Sequence, residues 1–146
     1  KKIRLRSYDK EFILSKRVNK EIKITSVEGR YKISEKATNP SDLVKLGIYD
    51  HNYGLCFPVL NVLYERSYYK IKNARLTIDK KIIYKNFTNG KISKFSTFDN
   101  FNIVELKYSS SQSVNNISKN FPFDRTRFSK YCRGIEFIRL NYCNEI

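Results

Sequence analysis

Charged and apolar residues alternate with a period of two in the first part of the chain, and this alternation restricts the fold more than any other feature. It occurs in Ile3-Arg4-Leu5-Arg6 and again in Glu21-Ile22-Lys23-Ile24. Because successive side chains of a β-strand point to opposite faces, the pattern predicts strands with one apolar and one basic face. Residues 11–18 and 29–36 are predicted to form further strands, separated by turn signals. We therefore expect adjacent antiparallel strands.

The second half of the chain has further strand patterns. Residues 59–70 and 74–78 predict a strand pair, and residues 102–108 alternate again. In the last of these, Glu105 and Lys107 share a face. Residues 86–101 have the composition of a loop, with one short strand at 92–95.

Three segments predict helices. Asn39 can cap a short helix that has Pro40 at its first position and ends at Gly47. Residues 114–121 predict a second helix. In residues 125–141 the apolar side chains are spaced at three and four, which is typical of an amphipathic helix; they are Phe128, Tyr131, Ile135 and Ile138.

Composition predicts a folded domain with an anionic partner. The 146 residues include 29 Lys and Arg against 14 Asp and Glu, a net charge of +15. Hydrophobic residues make up 40% of the chain, with 10 Phe and 11 Tyr, which excludes a disordered basic tail. A chain of this length usually forms one core. We therefore expect a single domain over residues 1–146.

The chain has no Met and begins at Lys1, so we expect it to be incomplete at its N-terminus. We find neither a signal peptide nor a membrane-spanning stretch, and we expect a soluble, cytoplasmic protein. Cys56, Cys132 and Cys143 form no CxxC pair, and with His51 alone a zinc site has too few ligands. We interpret the cysteines as reduced thiols.

Several cations fall inside predicted strands, where an unpaired, desolvated charge is costly. Two interpretations fit. The cations are the solvated outer face of a sheet, or they point into a barrel and form an electropositive tunnel for phosphates. The residues concerned are Arg4, Arg6, Lys16, Lys32, Arg66 and Arg75.

Six stretches, taken in order, carry a resemblance. They are Ile3-Arg4-Leu5-Arg6-Ser7-Tyr8; Phe12-Ile13-Leu14-Ser15-Lys16-Arg17; Gly29-Arg30-Tyr31-Lys32; Tyr64-Glu65-Arg66 with Ala74-Arg75-Leu76-Thr77-Ile78-Asp79; Val104-Glu105-Leu106-Lys107; and Arg127-Phe128-Ser129-Lys130-Tyr131. In the same order, these stretches resemble six motifs: Arg-x-Arg-x-Tyr; Phe-Leu-Glu-Ile-Lys-Arg; a lysine-bearing strand; a Tyr-x-Arg…Arg-x-Thr-x-Asp hairpin; Leu-Glu-Val-Lys; and Lys-Phe-Ser-Lys-Phe/Tyr. These are motifs of the polyphosphate polymerase domain of the vacuolar transporter chaperone (VTC) complex and its bacterial relatives, in the CYTH-like, triphosphate tunnel metalloenzyme superfamily.

The resemblance implies an α+β fold, an antiparallel β-barrel tunnel with flanking helices, lacking its N-terminal strands in this chain. It implies an ATP-dependent polyphosphate polymerase, which moves the terminal phosphoryl group of ATP or another nucleoside triphosphate onto a growing polyphosphate chain. The cofactor implied is a divalent metal, Mn²⁺ or Mg²⁺. Phosphoryl transfer depends mainly on positioning and charge neutralisation, which Arg, Lys and a metal supply.

Carried over by position, the resemblance gives each motif residue a role. Glu105 would bind the metal, a hard cation that takes carboxylate and phosphate oxygens together. Lys130 and Arg127, on the last helix near a tunnel mouth, would neutralise charge on the transferred group, and Tyr64 would be an accessory phosphate contact. Asp79 is expected to cap or turn the hairpin. Phosphates would be held by Arg4, Arg6, Lys16, Lys32, Arg66 and Arg75.

The sequence departs from the family pattern at three places. Leu14 stands where relatives usually have a glutamate before the tunnel lysine, which leaves the metal on Glu105 alone. Arg127 replaces a lysine and keeps its charge. The insertion between Lys16 and Lys32 makes Lys23 a rival of Lys32.

Two other functions stay open. One is an inorganic or RNA triphosphatase of the same superfamily, although such relatives carry several tunnel glutamates and this chain has few in strands besides Glu105. The other is a non-catalytic module that binds polyphosphate or RNA, although we find no RNA-recognition signature and expect no specific nucleic acid. Expected partners include the missing N-terminal segment or a membrane-anchored protein, which would place the domain at the cytosolic face of a membrane.

Overall fold

The computed structural model describes residues 1–9, 17–71, 74–108 and 121–143. They belong to two compact units, Lys1–Pro58 and Val59–Ile146, and each is described by itself. The described residues are mostly β-sheet with few helices, which confirms the α+β character. Their strands pair into three separate sheets, none of which closes into a barrel, so the tunnel stays a prediction.

The first unit contains an antiparallel sheet in the order β1-β2-β3. Its strands are β1 (Lys2–Ser7), β2 (Val18–Ser26) and β3 (Gly29–Lys36). The alternating patterns predicted these strands correctly, and the turn between β2 and β3 lies where predicted. The unit continues with α1 (Pro40–Lys45) and a hairpin of β4 (Ile48–Asp50) and β5 (Gly54–Cys56).

The short helix α1 begins and ends close to the predicted positions. Asn39 occupies the N-cap, but its side chain makes no capping hydrogen bond. Instead, its backbone carbonyl accepts hydrogen bonds from the N–H groups of Asp42 and Leu43, at 3.0 and 3.3 Å. Gly47 follows the helix with a φ of +83°, a conformation that glycine adopts without a Cβ penalty.

The second unit is built around a long central strand, β7 (Ala74–Thr88), which carries the best-buried apolar side chains, Ile82, Tyr84 and Phe87. Strands β6 (Leu60–Ile71) and β10 (Ile103–Tyr108) flank it in the order β10-β7-β6. Two short strands, β8 (Lys91–Ile92) and β9 (Thr97–Phe98), also pair with β7 and replace the single strand predicted at 92–95. The last described element of the unit is helix α2 (Lys130–Cys143).

A β-bulge in β7 decides which residues share a face of this sheet. The register between β6 and β7 shifts between Leu63 and Glu65, and Lys81 on β7 has a φ of +50°. Two residues of β7 therefore oppose one of β6. As a result Asp79 and Tyr84, five positions apart, lie on the same face of the sheet.

The last helix begins later than predicted, at Lys130 rather than at residue 125. Ser129 ends the preceding coil, because its Oγ accepts a hydrogen bond from the Cys132 N–H at 3.4 Å, the geometry of a serine N-cap. Arg127 therefore lies before the helix, and its predicted helical position was wrong. The predicted strand 11–18 and helix 114–121 lie outside the described residues, apart from their C-terminal ends.

Candidate functional site

One face of the β6-β7-β10 sheet is largely polar, and we call it the polar face. Directly opposed residues of antiparallel strands have Cβ atoms about 5 Å apart, so cross-strand pairing places side chains of the three strands in rows. From the end where Ile71 pairs with Ala74, the rows are Lys70, Arg75 and Lys107; Tyr68, Thr77 and Glu105; and Arg66, Asp79 and Ile103.

The innermost row contains a buried carboxylate shared by two cations. Asp79 is 1% exposed. The Arg66 guanidinium donates through Nε to Oδ1 at 2.5 Å and through Nη2 to Oδ2 at 2.7 Å, a bidentate contact. The Lys130 ammonium group, from the first turn of α2, also donates to Oδ2. Asp79 is therefore an interior residue of β7, and the expectation that it caps or turns the hairpin was wrong.

The carboxylate and the guanidinium of this cluster, Asp79 and Arg66, are held in their charged forms. Burial alone would raise the pKa of Asp79, but hydrogen bonds from Arg66 and Lys130 outweigh burial and hold that pKa below its ordinary value. The same contact with Asp79 raises the pKa of Arg66. The cluster therefore carries a net charge of +1 at neutral pH.

Two tyrosine rings flank these cations. The Arg66 guanidinium carbon lies 5.2 Å from the Tyr64 ring centroid and 6.0 Å from that of Tyr68. The Lys130 nitrogen lies 4.7 Å from the Tyr64 ring. Tyr64 thus contacts the cations through its ring, by cation–π attraction, and its predicted role as a phosphate contact stays a prediction.

Glu105 lies in the middle row, next to positive charge. Its side chain is 44% exposed, and its carboxylate lies 3.3 Å from the Lys107 ammonium group and 4.0 Å from the Arg66 guanidinium. On the neighbouring strand, directly opposite Glu105, the buried Thr77 Oγ1 has no hydrogen-bond partner among the described residues.

The described part of the chain holds no group of three or more His, Cys, Asp or Glu side chains suited to a metal. A metal bound by Glu105 would therefore need further oxygen atoms from the phosphates of a bound substrate. That donor set suits Mg²⁺, which is often bound by one or two carboxylates together with substrate phosphates.

The outermost row brings three like charges side by side. Lys70, Arg75 and Lys107 oppose one another on adjacent strands, an arrangement that repels unless an anion lies nearby. Among the described residues, Lys107 has an ion pair with Glu105, and none is found for Lys70 or Arg75. At about 3.3 Å per residue, this row is about 13 Å along the strands from the row of Arg66.

The sheet of the first unit also contains a buried carboxylate that is paired with several cations. Glu21 is 2% exposed. It accepts a hydrogen bond from Arg4 Nε at 2.5 Å and lies 3.0 Å from the Lys32 ammonium and 3.7 Å from the Arg6 guanidinium. Burial would raise the pKa of Glu21, but Lys32 and Arg4 outweigh it and lower that pKa. Lys23 lies directly opposite Lys32, so the two rivals are neighbours.

The structure thus groups the predicted residues by unit: Arg4, Arg6 and Lys32 in the first, and Tyr64, Arg66, Arg75, Glu105 and Lys130 in the second. Arg127 lies in the exposed coil before α2. Lys16 and Leu14 lie outside the described residues.

Sequence reasoning missed Glu21 and Asp79 as partners of the cations. Both had a detectable signal. Asp79 follows Arg75 and Thr77 at strand spacing, so it had to share their face. Glu21 begins a Glu-Ile-Lys triplet like the one in the family motif compared with residues 12–17.

The sequence profile of the VTC domain matches residues 34–139. The match covers the polar face and most of α2, and it begins after Lys32. No curated protein and no solved structure matches the chain. Neither α1 nor α2 is long and apolar enough to cross a membrane, as judged from the described residues.

Proposed function

The chain belongs to the VTC domain family, and from this membership we propose that it is a polyphosphate polymerase that extends inorganic polyphosphate with the terminal phosphoryl group of ATP. One observation carries the proposal: Arg66 and Lys130, from a strand and a helix, converge on the same buried carboxylate. Both were predicted from motif positions alone. Two cations fixed at one point suit the charge that builds up on a transferred phosphoryl group.

In the proposed reaction, a terminal oxygen of the polyphosphate chain forms a bond to the γ-phosphorus of ATP. The bond between that phosphorus and the bridging oxygen breaks, and ADP leaves with the electron pair. Arg66 would orient phosphate oxygens through the guanidinium N–H groups that Asp79 does not occupy, while Lys130 would offset charge as a point donor. Asp79 would hold both groups in place.

A divalent metal fits the site if the phosphates complete its coordination. Glu105 would supply a carboxylate oxygen, and the hydroxyl of Thr77 beside it, which has no partner within the described part of the chain, would donate to a phosphate oxygen. When bound, Mn²⁺ or Mg²⁺ would neutralise negative charge on the triphosphate.

For the first unit we propose that Glu21-Ile22-Lys23 on β2 corresponds to the Glu-Ile-Lys part of the family motif. The support is positional, because β2 pairs directly with the strand that carries Arg4 and Arg6. Under this assignment the carboxylate that seemed lost at Leu14 is present as Glu21. The closed tunnel, the phosphate role of Lys16 and a location at the cytosolic face of a membrane stay predictions.

The test is product analysis with the full chain. The protein is incubated with ATP, Mn²⁺ and a tripolyphosphate primer, and products are followed by ³¹P NMR. Growing chains with release of ADP support the proposal. Lys130→Ala should remove the activity, whereas Lys94→Ala, which removes the same charge from an exposed loop position, should retain it.

The other functions give different results in the same experiment. Release of orthophosphate without chain growth indicates a triphosphatase. Tripolyphosphate binding without turnover indicates a binding module, and no binding at about 0.15 M salt, where loose electrostatic attraction is screened, refutes the proposal.

A further inference from the structure

Helix α2 is fastened to the sheet by a buried carboxylate that the proposed reaction does not use. Asp99, just after β9, is 8% exposed. Its Oδ2 accepts hydrogen bonds from Arg133 Nε at 2.6 Å and from the Tyr84 hydroxyl at 3.0 Å. Its Oδ1 accepts the Phe101 N–H at 3.1 Å. The carboxylate thus joins the helix, the central strand and the loop after β9.

Aromatic rings hold the Arg133 guanidinium from two directions. Its central carbon lies 4.8 Å from the Phe101 ring centroid and 4.9 Å from that of Phe137. The contact with Asp99 raises the pKa of Arg133, so the guanidinium stays charged. An arginine fixed by a carboxylate and two rings has little rotational freedom.

The helix backbone also lies directly against the strand. A Cβ on Gly134 would be 2.6 Å from Tyr84 Cδ1 and 2.8 Å from Leu60 Cδ2, so only glycine allows this approach. Tyr84 is 1% exposed, and its hydroxyl is held by Asp99. The ring therefore cannot easily move away.

Lys130 lies on the same side of α2 as these contacts. Arg133 and Gly134 follow it by three and four residues, which is the spacing of one helical face. Arg133 is only about 4.5 Å further along the helix axis at 1.5 Å per residue. A contact that fixes the rotation of α2 and its position along the helix axis at Arg133 therefore also fixes the first turn, where Lys130 contacts Asp79.

We propose that Asp99 and Arg133 form a positioning clamp for Lys130, one that sets the ammonium group beside Arg66 for phosphate binding. Neither residue contacts the phosphate; both act through Lys130. This inference rests on the proposed function, because it presumes that Lys130 binds a phosphate oxygen. The competing interpretation is that the clamp only stabilises the fold.

A double-mutant cycle separates the two interpretations. Tripolyphosphate affinity is measured by calorimetry at about 0.15 M salt for the full chain, Arg133→Gln, Lys130→Ala and the double variant. We expect each single variant to bind about tenfold more weakly, the scale of one lost charge-assisted hydrogen bond. In the Lys130→Ala background, Arg133→Gln should change the tripolyphosphate affinity by less than about twofold, because Arg133 affects binding only through Lys130.

Two further variants serve as controls for the double-mutant cycle. Arg139→Gln removes the same charge from an exposed position of the same helix and should leave affinity within about twofold. Arg133→Lys keeps the charge without the planar fork and should bind with intermediate affinity. All variants are compared below their melting temperatures, with folding checked by circular dichroism. If Arg133→Gln unfolds the chain, Arg133→Lys replaces it in the cycle.

The outcomes are distinguishable. If Arg133→Gln lowers tripolyphosphate affinity equally with and without Lys130, the clamp is overturned and the role of Arg133 is structural. A folded Arg133→Gln variant with unchanged affinity leads to the same conclusion. If Lys130→Ala itself leaves affinity unchanged, the proposed function fails rather than the clamp alone.

Discussion

Lys130 and Asp79 form an ion pair that joins the first turn of α2 to the interior of β7, across 51 positions of the chain. Asp79 also receives both donors of the Arg66 fork. A single buried carboxylate therefore holds two cations at one point before any ligand binds. Such preorganisation lowers the cost of ordering these side chains when an anion arrives.

Asp79→Asn should destabilise the free protein and increase its response to ligand. The change leaves Arg66 and Lys130 without their counter-charge, and we expect a loss of about 2–3 kcal/mol, below the range for a fully buried pair because both cations are partly exposed. Tripolyphosphate can then supply the missing negative charge. Thermal unfolding should show a lower melting temperature and a larger upward shift with tripolyphosphate.

The control for this variant is Asp124→Asn, an exposed carboxylate in the same unit. It should change neither the melting temperature nor the shift of the melting temperature with tripolyphosphate. A complete loss of the tripolyphosphate shift in Asp79→Asn would contradict the expectation and show that the carboxylate is itself needed for binding.

Glu105→Gln should remove the metal dependence of binding. A neutral amide is a poor ligand for a hard divalent cation, so Mn²⁺ should strengthen tripolyphosphate binding in the unmodified chain and have little effect in the variant. Without metal, the variant should bind at least as tightly, because a negative charge beside Lys107 and Arg66 has gone.

Glu65→Gln is the matched control for the metal experiment, because Glu65 is exposed and pairs with Lys81 away from the polar face. It should keep the Mn²⁺ effect. If the Glu105→Gln variant also keeps the full Mn²⁺ effect, the metal is bound elsewhere.

The row of Lys70, Arg75 and Lys107 should discriminate by chain length. It lies about 13 Å along the strands from the row of Arg66, a longer distance than the two P–O–P links of a tripolyphosphate span. Lys70→Ala should therefore weaken binding of a chain of about ten phosphates several-fold and leave tripolyphosphate binding nearly unchanged. Competition binding with both ligands, against Lys94→Ala, measures the difference. Equal losses for both ligands would show that the row acts only through general charge.

The sequence was sufficient to predict the longer strands, because period-two alternation is a direct consequence of pleating, as in β2 and β10. It did not predict the short strands β4 and β5. The alternation in Ile3-Arg4-Leu5-Arg6 also predicted that Arg4 and Arg6 share a face of β1. It did not reveal the partners of the cations, because the pairing of Arg4 with Glu21 and of Arg66 with Asp79 depends on the register between neighbouring strands.

The bulge at Lys81 and the docking of α2 were beyond sequence reasoning for a different reason. A bulge depends on register against β6, and the Asp99–Arg133 contact joins residues 34 positions apart. The early start predicted for α2 was an avoidable error, because Ser129 is a strong N-cap residue immediately before Lys130.

Acid should weaken the attachment of α2 to the sheet. The pKa values of Asp79 and Asp99 are lowered from the ordinary 3.8, so the stability that they contribute is fully present above about pH 4. It is lost as the pH falls through the lowered values, when the carboxylates become protonated. Helical circular dichroism between about pH 2 and 6 should show this loss. Asp99→Asn should show a weaker acid transition, and an unchanged transition would contradict the assignment.

Gly134→Ala tests the close approach of α2 to β7. In an exposed helix position the change would stabilise by about 1 kcal/mol, because alanine is the better helix former. Here the new methyl group would meet the buried Tyr84 ring at 2.6 Å, and overpacking of this kind costs about 1–3 kcal/mol. Because Asp99 holds the Tyr84 hydroxyl, the ring cannot relax cheaply, and we expect net destabilisation of up to about 2 kcal/mol. Cys132→Ala, at an exposed position of the same helix, should be neutral or slightly stabilising. Urea unfolding of both variants measures the difference, and a Gly134→Ala variant as stable as Cys132→Ala would show that the helix can shift away from the strand at little cost.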